Sequence, residues 1–299
     1  MCDYVIRGIA ADGQIRAFAA TTRQMTEEAR RRHNTSPVAT AALGRLMCAA
    51  AMLGDQCKSD TDRLTLKIKG DGPIGALYAV ANARGEVKGF AQNPQIMIHA
   101  RPDGKLDVGG AVGKGELTLI RDLGLKEPYV GTCKLVNGEI AEDLTYYFAL
   151  SEQTPTSVSL GVLMNRDNTV AQTGGFMLQL MPGATDELAA RLEEKILNAP
   201  PVTNWLDKGM TPEDILGELL DGLGYIQTEK KDVCFRCDCS REKMESVLVG
   251  LGRLELLDLI LSQETVQVHC DYCNTTYSFS RPELKALFKK NFRNDEKNN

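Results

Sequence analysis

Two close pairs of cysteines constrain this chain more than any other feature. Cys237-Asp238-Cys239 and Cys270-Asp271-Tyr272-Cys273 stand on segments separated by 30 residues. Two such pairs are how a chain assembles a tetrahedral tetrathiolate site, and Zn²⁺ is the metal that suits it, with an iron–sulfur cluster or free thiols as the alternatives. Any fold must therefore bring these two segments together. Spacing leaves one ambiguity. Cys234-Phe235-Arg236-Cys237 is itself a CxxC, so a ribbon built on Cys234 and Cys237 would leave Cys239 free.

The cysteines also speak to compartment. There are nine in 299 residues, and an odd number in a chain this long does not read as a secreted disulfide framework. Asp3 and Arg7 leave no room for the apolar core of a signal peptide in the first residues. The longest uninterrupted apolar run, Leu46 to Leu53, is bounded by Arg45 and is too short to span a bilayer. The expectation is a cytoplasmic protein, where thiols stay reduced and clustered cysteines hold metal or do redox work. A net charge of -5 makes bulk binding to nucleic acid or to an anionic membrane unfavourable.

The pattern divides the chain in three. Residues 1–182 read as an α+β body. A hairpin turns at Asp12-Gly13, and residues 22–33 and 38–53 are helical, the second run opened by Ser36 as cap and Pro37. That second helix is apolar on nearly all sides and is expected to be buried. Strands are expected at 64–68, 75–81, 87–91, 116–121, 129–135 and 176–180, with a helix at 142–150. Strands grouped with few intervening helices argue for α+β and against a doubly wound sheet.

Residues 183–230 read as an amphipathic helical linker. Leu188, Leu192 and Ile196 form one stripe, and Ile215, Leu216, Leu219 and Leu220 another, after a Thr211-Pro212 start. Trp205 lies between them. Helices this short are not stable alone in water, so each needs a surface to lie on.

Residues 231–299 form the cysteine module, neutral with eleven basic and eleven acidic residues. Ser240 is placed to cap one helix and Ser280 to open a capping box with Glu283. A hairpin is expected around Cys270–Cys273. The tail from Asn294 is polar and is expected to fray. About 65 residues is marginal for a self-sufficient core, whereas structural zinc contributes about 10–16 kcal/mol in small sites. The module should be folded with metal and loose without it. Each pair also fits the roughly 4.4–6.8 Å Cα separation that a disulfide allows. Zinc closes the long loop between the pairs, and two local disulfides close almost nothing, so oxidation should unfold the module.

The motif Phe235-Arg236-Cys237-Asp238-Cys239-Ser240-Arg241-Glu242, with His269-Cys270-Asp271-Tyr272-Cys273, resembles the signature of the 33-kDa chaperonin family of redox-regulated bacterial heat-shock holdases. The resemblance runs through the body. It includes Gly70-Asp71-Gly72-Pro73-Ile74, Tyr129 to Val136 with Gly138 to Asp143, Tyr147-Phe148, Ser151-Glu152-Gln153 with Pro155, Gly174-Gly175-Phe176, Gln179 and Pro182-Gly183. It implies a cytoplasmic, non-enzymatic stress-response chaperone that is inactive while reduced and zinc-bound. By that resemblance Cys237, Cys239, Cys270 and Cys273 ligate one Zn²⁺. Oxidation pairs Cys237 with Cys239 and Cys270 with Cys273, expels the metal and unfolds the switch and linker. Unfolding client proteins are then held without ATP, often by a homodimer. The motif has no counterpart for Cys234, and no client-binding residues follow from it.

Two other classes fit less well. A zinc-ribbon nucleic-acid protein wants a basic face, whereas this module is neutral and Arg30-Arg31-Arg32 lies far off in sequence. A thiol–disulfide oxidoreductase would want a βαβ setting around Cys270. Gly109 to Gly115 is one residue short of a P-loop and lacks Ser or Thr after Lys114, so it reads as a tight turn between strands. His269 abuts a ligand and could donate to a sulfur, but a partly exposed structural role is the expectation. Cys48 reads as a small core hydrophobe, and Cys2, Cys57 and Cys133 carry no signal.

Overall fold

The structure, a computed structural model, describes residues 2–292. The chain forms two compact units, one ending at Arg236 and one beginning at Cys237.

The first unit opens with the expected hairpin, β1 (Tyr4–Ala10) and β2 (Ile15–Thr21). Ala11, Asp12 and Gly13 turn it with φ of 49°, 51° and 86°. Helices α1 (Arg23–His33) and α2 (Pro37–Gly54) follow. Then come β3 (Arg63–Gly70), β4 (Ala76–Asn82), β5 (Glu86–Ala91), α3 (Val108–Val112), β6 (Gly115–Asp122), β7 (Tyr129–Lys134) and α4 (Ala141–Ser151). Strands β8 (Thr156–Met164) and β9 (Val170–Leu180) lead into α5 (Asp186–Asn198), α6 (Val202–Asp207) and α7 (Pro212–Leu219). Two strands, β10 (Ile226–Asp232) and β11 (Cys234–Phe235), end the unit.

These strands make two sheets. One has the order β10-β1-β2-β9-β8 and the other β11-β5-β4-β3-β6-β7. All pairings are antiparallel except β11 with β5. Mixed α+β architecture is as the sequence implied. Helix α2 packs against strands of both sheets and carries the main core. It is long and apolar enough to cross a membrane by length and composition, yet 89% of that stretch is buried inside the protein. Thr40 and Arg45 interrupt its apolar residues, which is why a search for uninterrupted runs misses it.

Period-two alternation explains why the five-stranded sheet is covered on both faces. Val5, Phe18 and Ala20 point to α2. Ile6, Ala17 and Ala19 point the other way, into a second core. That core is closed by Leu188 and Leu192 of α5, by Val202, Trp205 and Leu206 of α6, and by Ile215, Leu216 and Leu219 of α7. The apolar stripes of residues 183–230 thus lie on the outer face of this sheet. Thr211 caps α7 by accepting from Asp214 N, in a full capping box.

Several local expectations are corrected. Ser36 precedes α2, but its hydroxyl makes no cap hydrogen bond. Gly109 to Val112 belong to a short helix and not a turn; Asp107 caps it by accepting from Gly110 N. Trp205 sits in a helix of its own. β8 and β10 lie in segments where polar residues or a glycine mask the strand pattern, and β11, Cys234–Phe235, is too short to show a period.

The second unit contains α8 (Arg241–Gly250), α9 (Arg253–Ser262), the hairpin β12 (Thr265–His269) and β13 (Thr276–Ser280), and α10 (Arg281–Phe292). Its core is small: Met244, Leu248, Leu256, Ile260, Val266, Phe279, Leu284 and Leu287. The expected cap at Ser240 is present, and at Ser280 the Glu283 half of the expected capping box. Ser240 accepts from Lys243 N, and Glu283 accepts from both the backbone and hydroxyl of Ser280. The tail from Asn294 lies outside the described residues.

Candidate metal centre

The β12–β13 hairpin positions one cysteine pair. Its turn folds tightly: Cys270 accepts backbone hydrogen bonds from Cys273 N (3.3 Å) and Asn274 N (2.8 Å), and Cys270 N donates to Thr275 O (3.0 Å). Asn274 takes the left-handed conformation that closes the turn (φ 57°). Both Cys270 and Cys273 are buried. The other pair sits on the segment entering α8. Lys243 holds Asp238 at 2.6 Å, and Arg241 reaches Glu283 of α10 at 2.7 Å while stacking over the Phe279 ring. These contacts fix the entering segment against the hairpin.

The result is one cluster. The sulfur atoms of Cys237, Cys239, Cys270 and Cys273 all lie within 4.8 Å of one another. Cys237 Sγ is 3.7 Å from Cys270 Sγ, and Cys239 Sγ is 3.3 Å from Cys273 Sγ. A tetrahedron with metal–sulfur bonds of about 2.3 Å has edges of about 3.8 Å. The donor set and its spacing therefore fit a metal ion. Cys239 is part of the cluster. Cys234 is in the other unit, on β11 at the register of Glu86, and is exposed.

Electrostatics inside the cluster are uneven for the thiols themselves. Burial pushes the Cys237 and Cys270 thiols up. Burial acts the same way on Cys273, but its hydrogen bonds with the Thr275 side chain and backbone and with neighbouring thiols outweigh it and bring it to about 7. Thr275 Oγ1 is 3.2 Å from Cys273 Sγ.

The sequence reading missed Tyr277. Its hydroxyl lies 3.2 Å from Cys239 Sγ, a contact that pushes the phenol up to about 12. A signal was available. Tyr277 shares strand parity with Phe279, which is buried, so it faces the core side of the hairpin next to the sulfurs. His269 has the opposite parity to Val266 and Val268. It is exposed, and its Nδ1 pairs with Thr276 Oγ1 at 2.9 Å, not with a sulfur. Cys48 is fully buried in the α2 core, where burial pushes its thiol up to about 12. Arg30, Arg31 and Arg32 are ion-paired with Glu27 and Glu28 on their own helix.

Comparison with known proteins agrees across nearly the whole chain. A family model described as Hsp33 protein matches residues 3–280. The chain is 52% identical over 287 residues to a 33 kDa chaperonin of Lachnoclostridium phytofermentans, covering 96% of this chain and 98% of that one. It is 46% identical over 286 residues to the 33 kDa chaperonin of Bacillus subtilis, covering 95% and 98% respectively. The crystal structure of a Thermotoga maritima 33 kDa chaperonin (heat shock protein 33 homolog) superposes with a TM-score of 0.90 at 37% identity, covering 97% of this chain and 99% of that one.

Proposed function

The chain belongs to the Hsp33 family, and on that premise we propose that it is an ATP-independent holdase chaperone gated by oxidation of a zinc tetrathiolate. Cys237, Cys239, Cys270 and Cys273 are the ligands in this reading. The observation that carries it is the four-sulfur cluster inside a unit whose core, among the described residues, has eight buried apolar residues.

Zinc, where bound, supplies a cross-link between the segment before α8 and the β12–β13 turn. The four cysteines supply its thiolates, and thiolate is the form that oxidants attack. The thiolate pair Cys237–Cys239, and likewise Cys270–Cys273, would each give up two electrons to a peroxide or hypochlorite oxidant, which takes its protons from solvent as it is reduced to water or to chloride and water. One S–S bond forms per pair. Each disulfide is local, so the long loop between the pairs loses its closure. The small core then has to hold the unit alone, which a unit of this size does poorly.

In this reading residues 1–182 act as the chaperone body, 183–230 as the linker and 231–299 as the switch. The linker helices cover the apolar outer face of the five-stranded sheet while the switch is folded. Loss of the switch frees them, and the uncovered surface holds unfolding proteins. The reading places the chain in the cytoplasm, as a homodimer once active, with no catalysis and with no nucleic-acid or membrane partner.

One experiment tests it. The zinc-loaded protein is treated with oxidant, and metal release, free thiols and suppression of client aggregation are followed together. The expected result is one zinc released and four thiols lost as aggregation is suppressed. Zinc release without suppression overturns the chaperone reading in favour of a structural or oxidoreductase role.

A further inference from the structure

The outer edge of the five-stranded sheet is formed by an unusual strand. β10 reads Ile226-Gln-Thr-Glu-Lys-Lys-Asp, and its single apolar residue, Ile226, is 62% exposed. It adds no buried apolar side chain to either core. Two other forces hold it. One is its antiparallel ladder with β1, from Tyr4↔Asp232 to Ile9↔Ile226. The other is a set of ion pairs made by adjacent residues on opposite faces. Lys230 reaches Glu213 of α7 at 2.9 Å, and Lys231 reaches Asp55 at the end of α2 at 2.7 Å.

The second pair belongs to a network that divides cleanly. Arg7 of β1 bonds both Asp55 and Glu229. Lys231 bonds both Asp55 and Glu229. If β10 departs, Arg7 and Asp55 stay as a pair on the body, and Glu229 and Lys231 stay as a pair on the strand. Within this network neither surface is left with an unpaired charge, whose burial would be costly; outside it Lys230 and Glu213 part, but both reach solvent, and Glu213 keeps the Tyr4 hydroxyl at 2.7 Å. Strand β10 is thus bound by groups that survive its removal.

Beneath it, β1 is shaped to accept a backbone. Asp3 O receives Val233 N at 3.0 Å, and Arg7 O receives the Thr228 hydroxyl at 3.2 Å. By the alternation of an antiparallel ladder, the N–H groups of Val5 and Arg7 face the same side. Gly8 marks a close approach: a Cβ there would come within 2.4 Å of the Tyr225 ring and 2.6 Å of Ile226 O. The register shifts at this point, between Arg7 and Gly8.

We propose that the β1 edge occupied here by β10 is a strand-accepting site, and that an extended segment of an unfolding protein adds to it in place of β10. This rests on the holdase reading and names the surface that does the holding. Backbone hydrogen bonds to a bare strand edge are independent of sequence, as a chaperone of many clients requires. The same edge borders the apolar face carrying Tyr4 and Ile6, so apolar residues at alternate client positions find cover there. β10 is the resting occupant, polar and exchangeable.

Amide hydrogen exchange on the full chain tests this, with reduced, carboxymethylated α-lactalbumin as a permanently unfolded client. In the reduced, zinc-loaded protein the Val5 and Arg7 amides are expected to be protected. Oxidation should lower that protection by about tenfold or more, and bound client should restore it. Protection that persists after oxidation overturns the proposal, because β10 has not left. Client binding, read by fluorescence anisotropy, with Val5 and Arg7 still exchanging fast overturns the strand-accepting site and leaves the holdase reading intact. Absence of client binding overturns both.

Discussion

Lys231 Nζ lies 2.7 Å from Oδ1 of Asp55, a carboxylate whose side chain is only 2% exposed. Asp55 terminates the core helix α2, and Lys231 belongs to the last long strand before the cysteine unit. A buried acid of the first unit is thereby tied to the segment that leads to the cysteine unit. Arg7 is the second cation on Asp55, at 3.2 Å.

Lys231→Met should therefore loosen β10 without unfolding the body. Stranding a buried charge typically costs about 3–5 kcal/mol. Here Arg7 remains, so a loss of about 2 kcal/mol in the docking of β10 is expected. The check is faster amide exchange along 226–232 in the reduced protein, with the amides of α2 unchanged. Equal exchange in both proteins would show that the pair is incidental.

Asp3 makes stability depend on pH in an unusual direction. Its carboxylate is 4% exposed and receives Gln24 N at 3.1 Å and Met25 N at 2.6 Å. Burial outweighs these bonds and raises its pKa from 3.8 to about 6. The folded protein thus binds this proton more tightly than the unfolded chain. The favourable contribution is complete below about pH 4 and is lost as pH rises through about 6, a difference of about 3 kcal/mol. Carboxylates held below their ordinary range by partners, such as Glu27 and Glu86, act oppositely, but only at lower pH. Urea midpoints should rise between pH 7 and pH 5 in the parent, and Asp3→Asn should flatten that rise. A parent midpoint that falls over this interval would contradict the assignment.

Much of the fold was legible where side-chain period and burial coincide. The β1–β2 hairpin, the buried α2 and the stripes of Leu188–Leu192 and Ile215–Leu219 follow from pattern alone, because one physical force sets both. The strands that pattern missed are held differently. β10 is a polar strand kept in place by a ladder and by ions from Asp55, Arg7 and Glu213, residues 17 to 222 positions away. No local window contains those partners. The cysteine cluster was legible because ligand spacing is itself local, whereas Tyr277 joins the site only once the hairpin register sets its face.

Tyr277→Phe tests the phenol that contacts Cys239. The ring keeps its place on the hairpin, and only the hydroxyl 3.2 Å from Cys239 Sγ, the group that would donate to a metal-bound thiolate, is removed. Groups that hydrogen-bond metal ligands typically contribute 10–100-fold to affinity, so a loss of about tenfold in zinc affinity is expected. Competition with a chromophoric chelator measures it, with circular dichroism of the loaded protein as the folding control. Affinity unchanged within a factor of about two would make the hydroxyl a packing neighbour only.

The two candidate registers of the site separate on a pair of single substitutions. Cys239 Sγ is inside the four-sulfur cluster, 3.3 Å from Cys273 Sγ, whereas Cys234 lies on β11 and outside it. Cys234→Ser should bind one zinc per chain with parent affinity and release it on oxidation as the parent does. Cys239→Ser leaves three thiolates and should lose zinc affinity by several orders of magnitude. Because zinc binding and folding are linked in a unit this small, the loss should appear also as melting of α8 to α10 at lower urea. The reverse outcome, with Cys234→Ser losing the metal and Cys239→Ser keeping it, would move the ligand set to a ribbon on Cys234 and Cys237. It would also remove the pairing of Cys237 with Cys239 from the proposed oxidation.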